Sequence, residues 1–102
     1  MNHFGERIKT LREKSNLLQR QVAAKVDMDT PMLSKVERGE RRAKREQVLK
    51  LAEIFKVNKD ELLSLWLAAK VYDVLKDEDV APRALKVAEK EVNYNIKIRN
   101  GK

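Results

Sequence analysis

The side chains of this chain that could do chemistry are mostly cations. Arg41-Arg42-Ala43-Lys44-Arg45 is the densest positive run, and residues 30–50 hold seven Lys or Arg against three Glu. Guanidinium and ammonium groups donate hydrogen bonds and accept none, so such a run suits phosphate or another anion. Groups for covalent chemistry are missing. There is no cysteine, and the one histidine, His3, stands near the end of the chain without partner ligands. No glycine-rich phosphate loop is present. Asp77-Glu78-Asp79 could attract a hard cation, but it lacks the glycine and the ligand spacing of a calcium loop. An enzyme needs an assembled set of nucleophile, base and stabiliser. No catalytic residues, metal or cofactor are therefore expected.

Composition narrows the class further. The chain has 102 residues, 42% of them hydrophobic, which is enough for one small, thin core. It has no apolar run near twenty residues and no charged start followed by an apolar stretch, so neither a membrane span nor a secretory signal is expected. Those absences suggest a cytoplasmic protein. The net charge of +7 is unevenly placed. Residues 1–59 carry 15 basic and 8 acidic residues, residues 60–92 carry 5 and 8, and the last ten add three more cations. A basic first half favours a polyanionic partner, because phosphate contacts release counterions.

The elements that must hold these residues read as six helices and no strand. Phe4, Ile8 and Leu11 form an apolar stripe on a helix over 3–15, with Asn2 as N-cap and Asn16 able to take a left-handed conformation at its end. Val22 and Val26 mark a second helix over 19–26. Asp29 is a good N-cap for a third over 30–37, and Pro31 is tolerated in its first turn. Leu33 and Val36 face inward there, which leaves Thr30, Met32, Ser34 and Lys35 outside. Gly39 suits a left-handed C-cap. A fourth helix over 46–55 buries Val48, Leu49, Ala52 and Phe55, with Leu51 or Ile54 on the flank. Asn58 caps a fifth over 59–76, and a sixth spans about 80–95, with Leu85, Ala88 and Val92 in one stripe.

Gln19, Ala23, Met28, Asp29, Leu33, Ser34, Lys35, Val36, Glu37, Arg38 and Gly39 together resemble the helix-turn-helix of the phage repressor and Cro-like (XRE) family. The resemblance runs from about Phe4 through the LxxAxxFxVxxDELL pattern of Leu49 to Leu63. Asp27 stands where many members carry glycine, and Pro31 where many carry a polar side chain that reaches bases. The resemblance implies an all-α, lambda-repressor-like five-helix DNA-binding domain over 1–63. Residues 64–95 are then a C-terminal helical extension, and 96–102 a flexible tail.

The same resemblance implies a sequence-specific transcriptional regulator on double-stranded DNA. Thr30, Met32, Ser34 and Lys35 are its candidate base readers. Gln19, Arg38, Arg41, Arg42, Lys44 and Arg45 are its candidate phosphate contacts. An arginine at the place of Arg12 pairs, in that family, with a glutamate at the place of Glu37. The fifth helix is apolar nearly all round, so a partner surface is expected, most simply a homodimer through Leu63, Trp66, Leu67 and Val71. Size and plan are similar to those of restriction–modification controllers. An antitoxin, or an adaptor that binds protein through the fifth helix, is the alternative. No small-molecule ligand is evident.

Overall fold

The computed structural model describes residues 2–101, and every described element is helical: α1 His3–Lys14, α2 Gln19–Lys25, α3 Thr30–Arg38, α4 Arg45–Phe55, α5 Lys59–Leu75 and α6 Ala81–Asn100. The chain divides into two compact units, one ending at Val71 and the other beginning at Tyr72.

In the first unit, each helix starts and stops where local chemistry requires it. Asn2 caps α1 by accepting from the Gly5 N–H at 3.1 Å. Asn16 takes φ 56° directly after α1, and Asp27 takes the same value in the turn between α2 and α3. Short polar side chains tolerate that left-handed region, which is how Asp27 serves where glycine is usual. Asp29 caps α3 through the Met32 N–H at 2.8 Å. Gly39, at φ 79°, ends it. Gln21 and Gln47 each accept the backbone N–H three residues upstream, that of Leu18 and that of Lys44, both at 2.8 Å.

The core gathers one face from each helix: Phe4, Ile8 and Leu11, then Val22, Ala23 and Val26, then Leu33 and Val36, then Val48, Leu51 and Ala52, then Leu62, Leu63 and Trp66. Helix α3 packs against α1 and α2. The buried face of α4 is rotated from the expected one. Leu51 is fully buried, whereas Leu49 and Phe55 are half-buried beside the core.

Two boundaries also differ from expectation. The first unit extends to Val71 rather than ending near residue 63, because Leu62, Leu63 and Trp66 of α5 belong to its core. The residues expected to form a flexible tail from 96 are helical through Asn100. No proline or glycine interrupts that stretch before Gly101, and Lys97 and Arg99 complement the helix dipole in its last turn.

The second unit holds the last turn of α5 and all of α6. Helix α6 has no buried residue. Tyr72, Val74, Val80, Leu85, Val87, Val92, Tyr94, Ile96 and Ile98 are all exposed. No described helix is long and apolar enough to cross a membrane.

Candidate nucleic-acid interface

One exposed face of α3 runs through Thr30, Pro31, Lys35 and Arg38, with half-buried Ser34 among them. The opposite face carries Leu33, Val36 and Glu37, all buried. Helical spacing puts Leu33 and Val36 away from Lys35 and Arg38, while Glu37, seven residues from Thr30, lies at the border of the two sets. Met32, expected on the outer face, is half-buried and packs against the core. Pro31 takes the outward place instead. Residue type argued against proline as a polar reader, but position i+1 from Thr30 and i−4 from Lys35 puts it in the middle of that face.

Beneath the face lies the only polar or charged residue buried among those described, Glu37, at 5% exposure. Arg12 meets it bidentately, with Nε to Oε2 at 2.7 Å and Nη2 to Oε1 at 3.1 Å. The third branch of the guanidinium, Nη1, donates to the Leu17 carbonyl at 3.1 Å. Gln19 completes the cluster by donating its amide to Glu37 Oε1 at 3.0 Å. The hydrogen bond to Glu37 raises the Arg12 pKa above its ordinary value, against the opposing effect of burial. No buried side-chain polar atom among the described residues lacks a partner. The cluster thus ties α1 and the start of α2 to the end of α3.

The α1–α3 contact is closer than helices with ordinary side chains allow. Gly5 faces the Glu37 and Val36 carbonyls, and a Cβ there would stand 2.6 Å from the Val36 oxygen. Asn2 uses its remaining amide to donate to the Glu37 carbonyl at 2.7 Å. Neither Asn2 beyond its cap nor Gly5 stands out by residue type. A glycine inside a helix over 3–15 was the one available sign of close approach.

The basic segment after α3 is anchored at its centre. Ala43 is buried, and its carbonyl accepts the Trp66 indole N–H at 2.8 Å. Arg41, Arg42, Lys44 and Arg45 flank that anchor and are exposed. Trp66 is therefore committed to the core and to this segment, and so is Leu63 to the core. Both are expected at a dimer surface, and this chain's own residues already cover them, Leu63 at 8% and Trp66 at 6% exposure. Lys70 Nζ lies 3.7 Å from the Trp66 ring centroid. Of the four residues expected at the dimer surface, Leu67 and Val71 are exposed, each at 46%.

Two exposed ion pairs border the face. Arg38 Nε pairs with Glu40 Oε2 at 2.6 Å, and Arg38 also donates to the Ser34 hydroxyl. That pairing lowers the Glu40 pKa. Lys50 of α4 pairs with Asp27 in the turn at 2.6 Å and lowers the Asp27 pKa, chiefly by that hydrogen bond. Gln47 adds a hydrogen bond to the Asp27 carbonyl at 3.3 Å. The turn is thus tethered to α4.

The arrangement can present α3 to a groove and cations to phosphate. A protein-family model described as helix-turn-helix matches residues 8–62, more than half of the chain. Comparisons with curated proteins and with solved structures returned no match. The geometry and the family match agree: the chain belongs to the Cro/CI-type helix-turn-helix family of DNA-binding transcriptional regulators.

Proposed function

We propose that the protein is a sequence-specific regulator that binds a near-palindromic operator as a homodimer, with one α3 in the major groove at each half-site. The observation that carries this reading is the single exposed face of α3, backed by the partly buried Arg12–Glu37–Gln19 cluster. The major groove admits a helix and presents a distinct donor and acceptor pattern for each base pair. Lys35 donates to guanine O6 or N7. Thr30 offers a hydroxyl and a methyl, Ser34 a hydroxyl, and Pro31 an apolar contact for a thymine methyl. Met32 contributes at the edge of this face.

Phosphate contact falls to Arg41, Arg42, Lys44 and Arg45, and to Gln19. One N–H of Gln19 is used by Glu37, which leaves the second for the backbone. Arg38 joins them by exchanging Glu40 for phosphate. These contacts set register and affinity without reading sequence.

The dimer reading is supported by the apolar exposure of Leu67, Val71, Leu85 and Val92. A second copy of the chain is the simplest cover. Twofold symmetry would put the two reading helices about 34–36 Å apart. A restriction–modification controller is the setting closest in size and plan, and the cytoplasm the expected compartment. The exposed Leu67 and Val71 favour one second reading, in which α5 docks another protein, as an antitoxin or an adaptor would.

The test is fluorescence-detected binding to the DNA upstream of the protein's own gene, beside a scrambled duplex, together with the mass of the free protein. An autoregulating reader binds the first about 10³-fold or more tighter and is dimeric. Equal weak binding to both duplexes by a monomer would refute this reading in favour of a protein-docking role.

A further inference from the structure

Helix α6 carries a row that the helix-turn-helix does not account for. Arg83, Lys86, Lys90, Asn93, Lys97 and Asn100 follow one another at intervals of 3, 4, 3, 4 and 3 residues. That spacing puts all six on one side of a helix. All are exposed. Of the two acids of the helix, Glu91 lies clear of the row and Glu89 borders it at i+3 from Lys86, and none of the four cations of the row is held in an ion pair among the described residues.

This is not how a merely solvated helix is usually charged. Opposite charges three or four residues apart stabilise a helix, and like charges there destabilise it. Arg83 and Lys86 are like charges at i, i+3, and Lys86 and Lys90 at i, i+4. Glu89, at i+3 from Lys86, offsets part of this repulsion, and a polyanion would relieve the rest. From Arg83 to Lys97 the row is about 21 Å long at 1.5 Å per residue. Over that length one DNA strand presents about six phosphates. The asparagines between the cations add neutral donors of the kind that also reach phosphate oxygens.

We infer that this face of α6 is a second phosphate-binding surface for the backbone of double-stranded DNA. The inference rests on the DNA-binding reading above. The surface adds sequence-independent affinity for DNA. An anionic membrane is the competing polyanion, since α6 is basic and also carries apolar groups. Its apolar residues do not form one insertion face, however. Leu85, Val92 and Ile96 lie on one side, and Val87, Tyr94 and Ile98 on another. Neither set contains the Trp or Phe anchors common in interfacial helices.

The experiment uses the full chain and three proteins: wild type, K86Q/K90Q/K97Q and K86R/K90R/K97R. Glutamine and arginine match lysine in helix propensity, and all three sites are exposed, so circular dichroism should show helicity no lower than that of the wild type. Binding to a 30-base-pair upstream duplex and a scrambled duplex is followed from about 50 to 200 mM salt. Each lost phosphate contact lowers the slope of log affinity against log salt by about 0.9, so the glutamine variant should lose about 2 to 3. Affinity should fall by the same factor on both duplexes, and the arginine variant should retain the wild-type slope.

A wild-type slope in the glutamine variant, with Lys35→Ala still losing operator preference, would overturn the inference and leave the DNA-reading proposal standing. Failure of the wild type to bind either duplex would overturn both. Binding to phosphatidylserine vesicles that the glutamine variant loses, with its DNA slope unchanged, would overturn the inference in favour of a membrane face.

Discussion

Glu37 has the highest stakes of any single residue. Its side chain is 3% exposed, and that of Arg12 is 12% exposed. In water, both groups would be solvated; here each is the other's main partner. Removing one leaves a buried charge unpaired. Arg12→Met should therefore destabilise the protein by about 3–5 kcal/mol, read from urea unfolding. A loss within 1 kcal/mol would mean the carboxylate finds water. The exposed pairs behave differently. Lys50 depresses the Asp27 pKa and Arg38 depresses that of Glu40. A depressed carboxylate contributes stability above its unfolded pKa and loses it as pH falls through the folded value. Their small contributions should thus disappear below the ordinary carboxylate range. Asp27→Asn should flatten that acid limb of a stability-against-pH curve while changing little at neutral pH. An acid limb as steep as that of the wild type would show that the pair is broken in solution. Salt screens such surface pairs, so the effect should shrink at high ionic strength.

At the scale of elements, close fit rather than charge decides how the reading helix is held. Gly5 lets α1 approach the end of α3, where a Cβ would clash with two carbonyls and with the Asn2 amide. Gly5→Ala should cost about 1–3 kcal/mol by forcing the helices apart. It should also shift the amide resonances of Val36 to Gly39 in NMR spectra. Resonances that stay in place, with stability unchanged, would show that the contact is looser than described. Trp66 does for the basic segment what Gly5 does for α3. Its indole N–H satisfies the Ala43 carbonyl in the core. Trp66→Phe keeps most of the apolar bulk and removes the donor, which should cost about 1–3 kcal/mol for the unsatisfied carbonyl. Because the segment around it carries the proposed phosphate contacts, affinity for operator and random DNA should fall together. Loss of operator binding alone would place the effect on α3 instead.

For the molecule as a whole, the first unit has a packed core and the second has none of its own. Helix α6 exposes apolar residues along its length without burying one. In the proposed dimer these residues meet a second copy. Leu85→Asp with Val92→Asp should then give a monomer by sedimentation or mass photometry. Operator affinity should fall on the order of 10²–10⁴, the usual gain from linking two binding events. Binding of each half-site by the first unit should survive. A dimer that persists in that variant would move the contact to Leu67 and Val71 of α5.

Helix number, helix caps and the site's general chemistry were legible without any structure, because they are local. Asn2, Asp29 and Gly39 cap or stop helices through groups within a few residues of themselves. The apolar stripe of α1 depends only on helical spacing, and the excess of cations around residues 38–45 only on residue type. The family resemblance carried Arg12 and Glu37, which lie 25 residues apart. What the chain's own neighbours cover was not legible in this way. Met32 turns toward the core while Pro31 faces out, Leu51 replaces Leu49 within, and Leu63 and Trp66 are taken up by the first unit. An apolar residue on an all-round apolar helix such as α5 has no preferred side until another element covers it. Burial is a property of the partner as much as of the residue, and only the tertiary structure supplies the partner.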